Sequence, residues 1–580
     1  MGSRLGIPPA ALPGRVGMSA WSHSWLLLWF TFGIAIAAPA HAAEPGAESG
    51  AEPGAEIAGI VQSARHADLR VPSFASQKAE VERLYARGAG APRWLTGALP
   101  TSAARALIAR LAGADSLGLE PLDYDAAWLA TQARALESPR GASSAQMLAS
   151  FDVGLSVCAV RFVSDLQRGR VTPEAAHARL LLPRRTRSAE MAVDSLREVA
   201  WQGPVLDNVQ PAFLHYRLLK NALVRYRRLA MDSSLVPLPK VPLALKSGAP
   251  YAGALRLRRL LEATGDMARV VPPDSLTQLY TPDLVAGVKR FQRRQGYATD
   301  GVIGPRTLAR LDRPFVQRVR QIELTLERWR WLPPTLGVAP VIVNIPAFRL
   351  YAFKGVADRE ADMLAMDVVV GGAFGNGTPV FAAAMKYLVF RPYWDVPMRI
   401  MRNELRAHAE RDPGYLERED MILVRGAVGH EEILDASSAN IAQIGAGVRV
   451  RQRPGAKNAL GGIKFIMPNA HDIYLHDTPS KGPFANMRRD ASHGCIRLSD
   501  PVALAGRVLE DQPEWTPGAI RLAMAEGDDR RVDLQQTVPV FIVYATAIAR
   551  ESGEVDFYDD VYGLDRQLDA LLLQRRARAN

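Results

Sequence analysis

Apolar positions recur every three or four residues through the first half of the chain, and the spacing shortens beyond residue 338. "ARALIARLAGADSLGL" and "FLHYRLLKNALVRYRRLA" put apolar residues on one helical face and Arg and Lys on the others. Residues 58–247 are therefore expected to form a helical scaffold domain. Within it, Phe151, Leu155, Cys158, Phe162 and Leu166 fall on one stripe, so Cys158 reads as a small core residue. "KVPLALKSGAPYAG" is rich in Pro and Gly and marks a boundary. The unit after it, 248–314, carries "DLVAGVKRFQRRQGYATDGVIGPRTLARL", which predicts helix, turn, helix. Asp300-Gly301 makes the turn and Pro305 takes the first position of the next helix. Phe291, Val302, Ile303, Leu308 and Leu311 supply a small core. A connecting helix is expected over 315–338.

"PVIVNIPAFRLYAF", "MLAMDVVVGG" and "TPVFAAAMKYLVF" are short, rich in Val, Phe and Tyr, and bounded by Gly and Pro. They predict a mostly β domain over 339–546. "MRIMRNELRAHAERDPGYLERE" interrupts it and implies a helical insertion over about 398–460. The remainder, 547–580, is an extension ending in a helix. The fold class expected is thus multidomain α+β.

The N-terminus sets the compartment. Arg4 and Arg15 precede the apolar run "WLLLWFTFGIAIAA", and Ala40-His41-Ala42 offers a small-x-small cleavage site. That layout makes 1–42 a signal peptide and the location periplasmic, with an uncleaved inner-membrane anchor as the alternative. The run is short for a spanning helix of ~20 residues, and no other segment reads as long and apolar enough to span. Residues 43–57, "AEPGAESGAEPGAEI", read as a flexible linker. The net charge of +11 favours an anionic partner. Export argues against nucleic acid and leaves acidic lipid or an anionic wall polymer.

With Cys158 assigned to a core, the second of the two cysteines, Cys495 in "ASHGCIRLSD", stands alone. A free thiol is only about 3% ionised at pH 7. Complete ionisation by a nearby His gains roughly thirtyfold, small beside a typical enzymatic acceleration of at least ~10⁶. Positioning and oxyanion donors must supply the rest, one donor being worth ~10²–10³. Gly494 leaves room for a substrate carbonyl and frees nearby backbone N–H groups. Upstream, "NAHDIYLHDTPSKGPF" alternates as a strand, placing Tyr474 and His476 on one face. His476 and His493 are the two candidate bases.

"HDT" followed by "SHGCIR" resembles the signature of the L,D-transpeptidases, with their YkuD-type catalytic domain. "VNIPAFRLYAF", "LVFRPYWDVP", "IKFIMPNAHDIYLHDTP" and "DDVYGLD" resemble the large multidomain Gram-negative branch, as do "GLEPLDY" and "DLQRGRVTP" in the scaffold. The Asp-Gly-x-x-Gly-Pro-x-Thr run resembles the three-helix peptidoglycan-binding module. The resemblance implies Cys495 as nucleophile and His476 as general base or ion-pair partner. It implies that His493 orients the Cys loop or shapes the oxyanion region, with backbone donors at Gly494 and Cys495. Ser492 and Arg497 are motif positions expected on the substrate side, Arg497 holding either the loop or a substrate carboxylate, and Tyr474 and Trp394 are pocket walls. The insertion is a cap whose basic run "RVRQRPGAK" suits anionic stem peptides. The implied reaction is attack on the diaminopimelate–D-Ala bond of a tetrapeptide stem, then transfer to an amine of another stem to give a 3→3 cross-link. No cofactor or metal is needed, and carbapenems acylate the same Cys. The expected partners are stem peptides and glycan, with weak association with other cell-wall synthases, on a monomeric chain.

Three other readings stay open. His471, Asp472, His476, His493 and Cys495 include zinc-ligand types, but at no common zinc spacing. A secreted cysteine peptidase would add an Asn or Asp orienting the His, and Asp477 should point away along the strand. A non-catalytic wall-binding protein leaves the His and Cys arrangement unexplained.

Overall fold

A computed structural model describes residues 53–577, apart from 139–142, 177, 179, 181–187, 242, 270–273, 275–277, 334–335, 356–359, 374, 413 and 428–429. The signal-peptide assignment, and all but the end of the expected linker, lie outside the described residues. The linker is shorter than expected: a helix already starts at Pro53 and runs to Ser63, burying Ile57 and Val61. It packs along the long helix Ala145–Arg168.

That long helix corrects two expectations. It is buried on every face rather than along one stripe. Its 24 residues, with a mean hydropathy of 1.5 in the most apolar window, are also long and apolar enough to cross a membrane, although 78% of that window is buried inside the protein. A helix apolar all round is a core helix here because other helices surround it. Cys158 lies in it, fully buried, and burial pushes its thiol up to about 12.

The helical region is two packing units. Buried residues from Ile57 to Leu166 and from Ala189 to Val209 share one apolar core, while Val171 and Leu180 between them join the second. The amphipathic helix Leu214–Met231 leaves the first core and packs against the connecting helix Phe315–Trp329. The 248–314 module joins this second core through helices Ala254–Thr264, Pro282–Arg294 and Pro305–Leu311. Phe291, Ile303 and Leu311 are buried, while Val302 and Leu308 are only half-buried. The Asp300-Gly301 turn forms as expected. Gly301 takes φ +73°, and its N–H donates to Gln292 at 2.8 Å.

The β domain is a nine-stranded, mostly antiparallel sheet. From Leu364–Gly371 the order runs through Ile496–Leu498, Leu475–His476, Ile463–Ile466, Phe381–Phe390, Arg530–Val543 and Val341–Asn344 to Arg349–Ala352. Arg349–Ala352 pairs back onto Leu364–Gly371 and closes the sheet like a barrel. Asp490–Ser492 adds a parallel edge strand to Leu364–Gly371.

The insertion is not wholly helical. Short helices over Met398–Arg418 pack on a four-stranded antiparallel sheet made of Trp394–Asp395, Met421–Arg425, Glu432–Leu434 and Val448–Gln452. This cap has its own core around Met401, Leu405, Leu423 and Val450. The C-terminal helix, Leu564–Ala577, folds back onto the connecting helix through Arg320–Asp569 and Arg328–Asp565 ion pairs, each at 2.5 Å.

Candidate active site

Two very short strands build the site. Leu475–His476 pairs in parallel with Ile496–Leu498, in the register Leu475↔Ile496 and His476↔Arg497. The Ile496 N–H donates to the Tyr474 carbonyl at 3.1 Å, bringing Cys495 beside Tyr474. Successive side chains alternate across a sheet. Leu475 and Ile496, both fully buried, point into the barrel. Tyr474, His476, Cys495 and Arg497 are left on the opposite face. After Leu498 the chain leaves through Asp500, which caps the helix Pro501–Val508 by accepting from the Ala503 N–H at 3.0 Å.

The loop before the first strand is tied by Asn469, whose Oδ1 accepts from the N–H groups of His471 (2.9 Å) and Ile473 (3.3 Å). It holds Asp472 at φ +53°, a region that Asp tolerates better than most residues. The Asp472 carbonyl there accepts from the Cys495 thiol at 3.7 Å. Burial pushes the Cys495 thiol up, opposed by the backbone N–H and hydroxyl of Tyr474, which donate to the sulfur. The Tyr474 hydroxyl also meets Trp394 of the cap sheet, and its ring lies edge-on to His476 at 5.7 Å.

His476 is buried, and burial lowers its pKa to about 4. Its Nδ1 contacts the Asp477 carbonyl at 2.5 Å. A carbonyl only accepts, so the neutral ring carries its proton on Nδ1 and keeps Nε2 as the basic nitrogen. Among the described residues no hydrogen bond joins His476 to Cys495. The Asp477 carboxylate points elsewhere, as the strand pattern implied, accepting from the Gly462 N–H (3.0 Å) and from Lys481 (2.8 Å).

Arg497 is half-buried, and burial lowers its pKa. Its guanidinium has no hydrogen bond or ion pair among the described residues, yet its charge is felt at both Cys495 and His476. An unneutralised cation on this face is suited to a carboxylate.

Three sequence-derived positions turn out differently from expectation. Ser492 is buried, donating to the Cys495 carbonyl (2.6 Å) and accepting from the Gly494 N–H (3.2 Å). It builds the loop instead of facing substrate, and it takes up the Gly494 N–H expected as an oxyanion donor. Gly494 remains necessary: at φ +125°, a Cβ would also stand 3.2 Å from Ile473. His493 turns away from the sulfur and reaches Glu404 of the cap at 2.9 Å, both side chains being exposed. Two of the four basic residues in the cap run are neutralised within the cap. Arg451 lies 2.7 Å from both Asp395 and Glu431, and Arg449 pairs with the same two acids. Among the described residues no three metal-ligating side chains converge.

Sequence reasoning missed the support behind the Cys loop. Thr378 is buried and donates to the Gly494 carbonyl at 2.7 Å while accepting from the Gly371 N–H at 2.9 Å. Tyr562 donates to the Gly371 carbonyl and accepts from the Thr378 N–H. The signal was present in "TPVF" and "DDVYGLD", which carry these two residues.

Comparison with known proteins agrees with this architecture. Residues 340–532 match the family described as "L,D-transpeptidase catalytic domain". Residues 79–223 match "Scaffold domain" and 254–311 match "Putative peptidoglycan binding domain". Over 231 residues the chain is 30% identical to a "Putative L,D-transpeptidase" of Haemophilus influenzae (strain ATCC 51907 / DSM 11121 / KW20 / Rd). That match covers 40% of this chain and 45% of the relative, so the chain spans less than half the length of that protein.

Proposed function

Starting from a chain that carries an L,D-transpeptidase catalytic domain and a peptidoglycan-binding domain, we propose that it cross-links peptidoglycan through a Cys495 thioester. The supporting observation is the single face shared by Cys495, Tyr474, His476 and Arg497. Domains that act on peptidoglycan point to the periplasm or cell wall as its location.

The resting state is neutral. Forming an imidazolium–thiolate pair from a histidine at about 4 and a thiol at its ordinary ~8.5 costs about 6 kcal/mol. Attraction at ~4 Å returns only about 4 kcal/mol at an effective dielectric of 20, and burial of the thiol widens the gap. His476 therefore acts as a general base during attack rather than holding a preformed ion pair. In the first step the Cys495 sulfur bonds to the carbonyl carbon between diaminopimelate and the terminal D-Ala. The thiol proton passes to Nε2 of His476 and then to the departing D-Ala nitrogen as the amide bond breaks. In the second step an amine of another stem attacks the thioester carbonyl and gives a proton to His476, which passes it to the departing Cys495 sulfur as the carbon–sulfur bond breaks, restoring the thiol and the neutral ring. Arg497 holds a carboxylate of the donor stem, and Tyr474 and Trp394 wall the pocket.

Mass spectrometry after exposure to meropenem tests the assignment. One adduct mapped to Cys495 is expected, and an unmodified Cys495 overturns it. Incubation with disaccharide-tetrapeptide separates the reaction types: D-Ala release with dimer is transpeptidation, and hydrolysis alone is a peptidase. The structure weighs against a papain-like triad, because a backbone carbonyl rather than an Asn or Asp side chain orients His476.

A further inference from the structure

A cleft of about 850 Å³ lies away from Cys495. It lies where the end of the long helix, the end of the connecting helix and the C-terminal helix meet. Its volume is in the range of small-ligand sites, ~300–1,000 Å³. Six arginines and three carboxylates line it. The scaffold stretches "GLEPLDY" and "DLQRGRVTP" converge there: Asp123 comes from the first, Arg168, Arg170 and Thr172 from the second.

Several of these charges are already matched. Arg170 and Arg330 pair with Glu327 beneath the floor, at 3.3 and 3.2 Å. Arg575 pairs with Asp165 at 3.0 Å. Two of the arginines have no acid within ion-pair distance among the described residues. Arg168 stands exposed on the rim with only the Ser164 hydroxyl at 2.5 Å. Arg161 is the more telling: it is 5% exposed. Its Nη2 donates to the carbonyls of Val71 (2.8 Å) and Ser73 (3.0 Å), which fixes the side chain. Its Nη1 is buried with no partner. A buried guanidinium nitrogen left without an acceptor costs free energy unless something brings one. Asp125 approaches electrostatically without a hydrogen bond. Trp331, anchored by its indole N–H to the Val171 carbonyl at 2.8 Å, gives the cleft a rigid apolar wall.

We propose that this cleft is a second peptidoglycan site, binding a carboxylate-bearing stem peptide with Arg161 and Arg168 as the anion-recognising pair. The choice of a stem peptide rests on the function proposed above, while the carboxylate chemistry rests on the two arginines. The site serves to hold the wall, since neither Cys nor His is among the residues that line it.

Equilibrium dialysis tests it, using the full chain with Cys495 alkylated by iodoacetamide and the tetrapeptide L-Ala-γ-D-Glu-meso-diaminopimelate-D-Ala. Retained binding that weakens at least tenfold in Arg168→Glu, and weakens further as salt is raised, is expected. Arg168 is exposed, so the variant's melting temperature should match the parent's. Arg161→Gln, checked for the same melting behaviour, should weaken binding too. Binding abolished by alkylation, or unchanged in both variants, overturns the proposal. If the unmodified enzyme releases D-Ala but the alkylated chain binds nothing, the cleft alone is refuted. If it neither releases D-Ala nor binds the peptide, the function proposed above fails as well.

Discussion

Two parts of this molecule that bury charge handle it in opposite ways. At the junction of scaffold, connecting helix and C-terminal helix, Glu327 is fully buried between Arg170 and Arg330. Burial alone would raise its carboxyl, but the two guanidinium groups hold it below the usual range. It also accepts from the N–H groups of Arg170 and Val171. On the face proposed to be catalytic the opposite holds. Arg497 has no carboxylate among the described residues, His476 is kept neutral, and burial pushes the thiol away from its charged form. The junction uses charge to fix a geometry. Under the proposed function the other face withholds its partner charges, so that a substrate can complete them.

Cys495→Ala should break the second half of this comparison most completely. D-Ala release should fall at least ~10⁴-fold with no change in melting, because the nucleophile is lost and little packing goes with it. A coupled D-Ala assay on disaccharide-tetrapeptide measures it. Glu327→Ala attacks the first half. Two guanidinium groups lose their shared carboxylate, and denaturant unfolding should show a loss of about 3–5 kcal/mol. Arg497→Gln, on the face without such a pair, should leave stability within about 1 kcal/mol and raise KM instead. A stability loss at Arg497 as large as at Glu327 would erase the contrast.

The candidate site was legible in the sequence where it is local. Cys495, Gly494 and His476 sit in motifs, and strand alternation put Tyr474 beside His476. The parallel pairing that joins the two segments was not legible, because strands of two and three residues carry almost no periodic signal. The same brevity hid the cap's sheet, two of whose strands have two or three residues. The division of the scaffold into two packing units was hidden for a different reason. The apolar stripe of Leu214–Met231 says that the helix needs a partner, but not which one. The junction's charges were invisible because Arg170 and Glu327 are 157 residues apart. His493 was misread because its motif position says nothing about Glu404, which a separate insertion delivers.

The pH dependence sharpens the comparison on the His476 side. Its folded pKa, about 4, lies below the ~6.5 of an unfolded histidine. The neutral ring therefore contributes stability that is fully present above pH ~6.5 and is lost as pH falls towards 4. That amounts to about 3 kcal/mol. Denaturant unfolding of the parent and His476→Asn at pH 7 and pH 4.5 should show the parent losing more. The acid limb of kcat/KM should likewise lie near 4 rather than 6.5.

The smallest effect expected lies behind the Cys loop. Thr378→Val keeps the shape and removes the hydroxyl that links the Gly371 N–H to the Gly494 carbonyl. Leaving those buried groups unsatisfied costs about 1–3 kcal/mol. If that support positions the sulfur, kcat should fall about five- to tenfold while KM holds, and Tyr562→Phe should reproduce a smaller part of the same loss. If both variants lose stability with kcat intact, Thr378 and Tyr562 belong with the junction's structural contacts and not with the catalytic face.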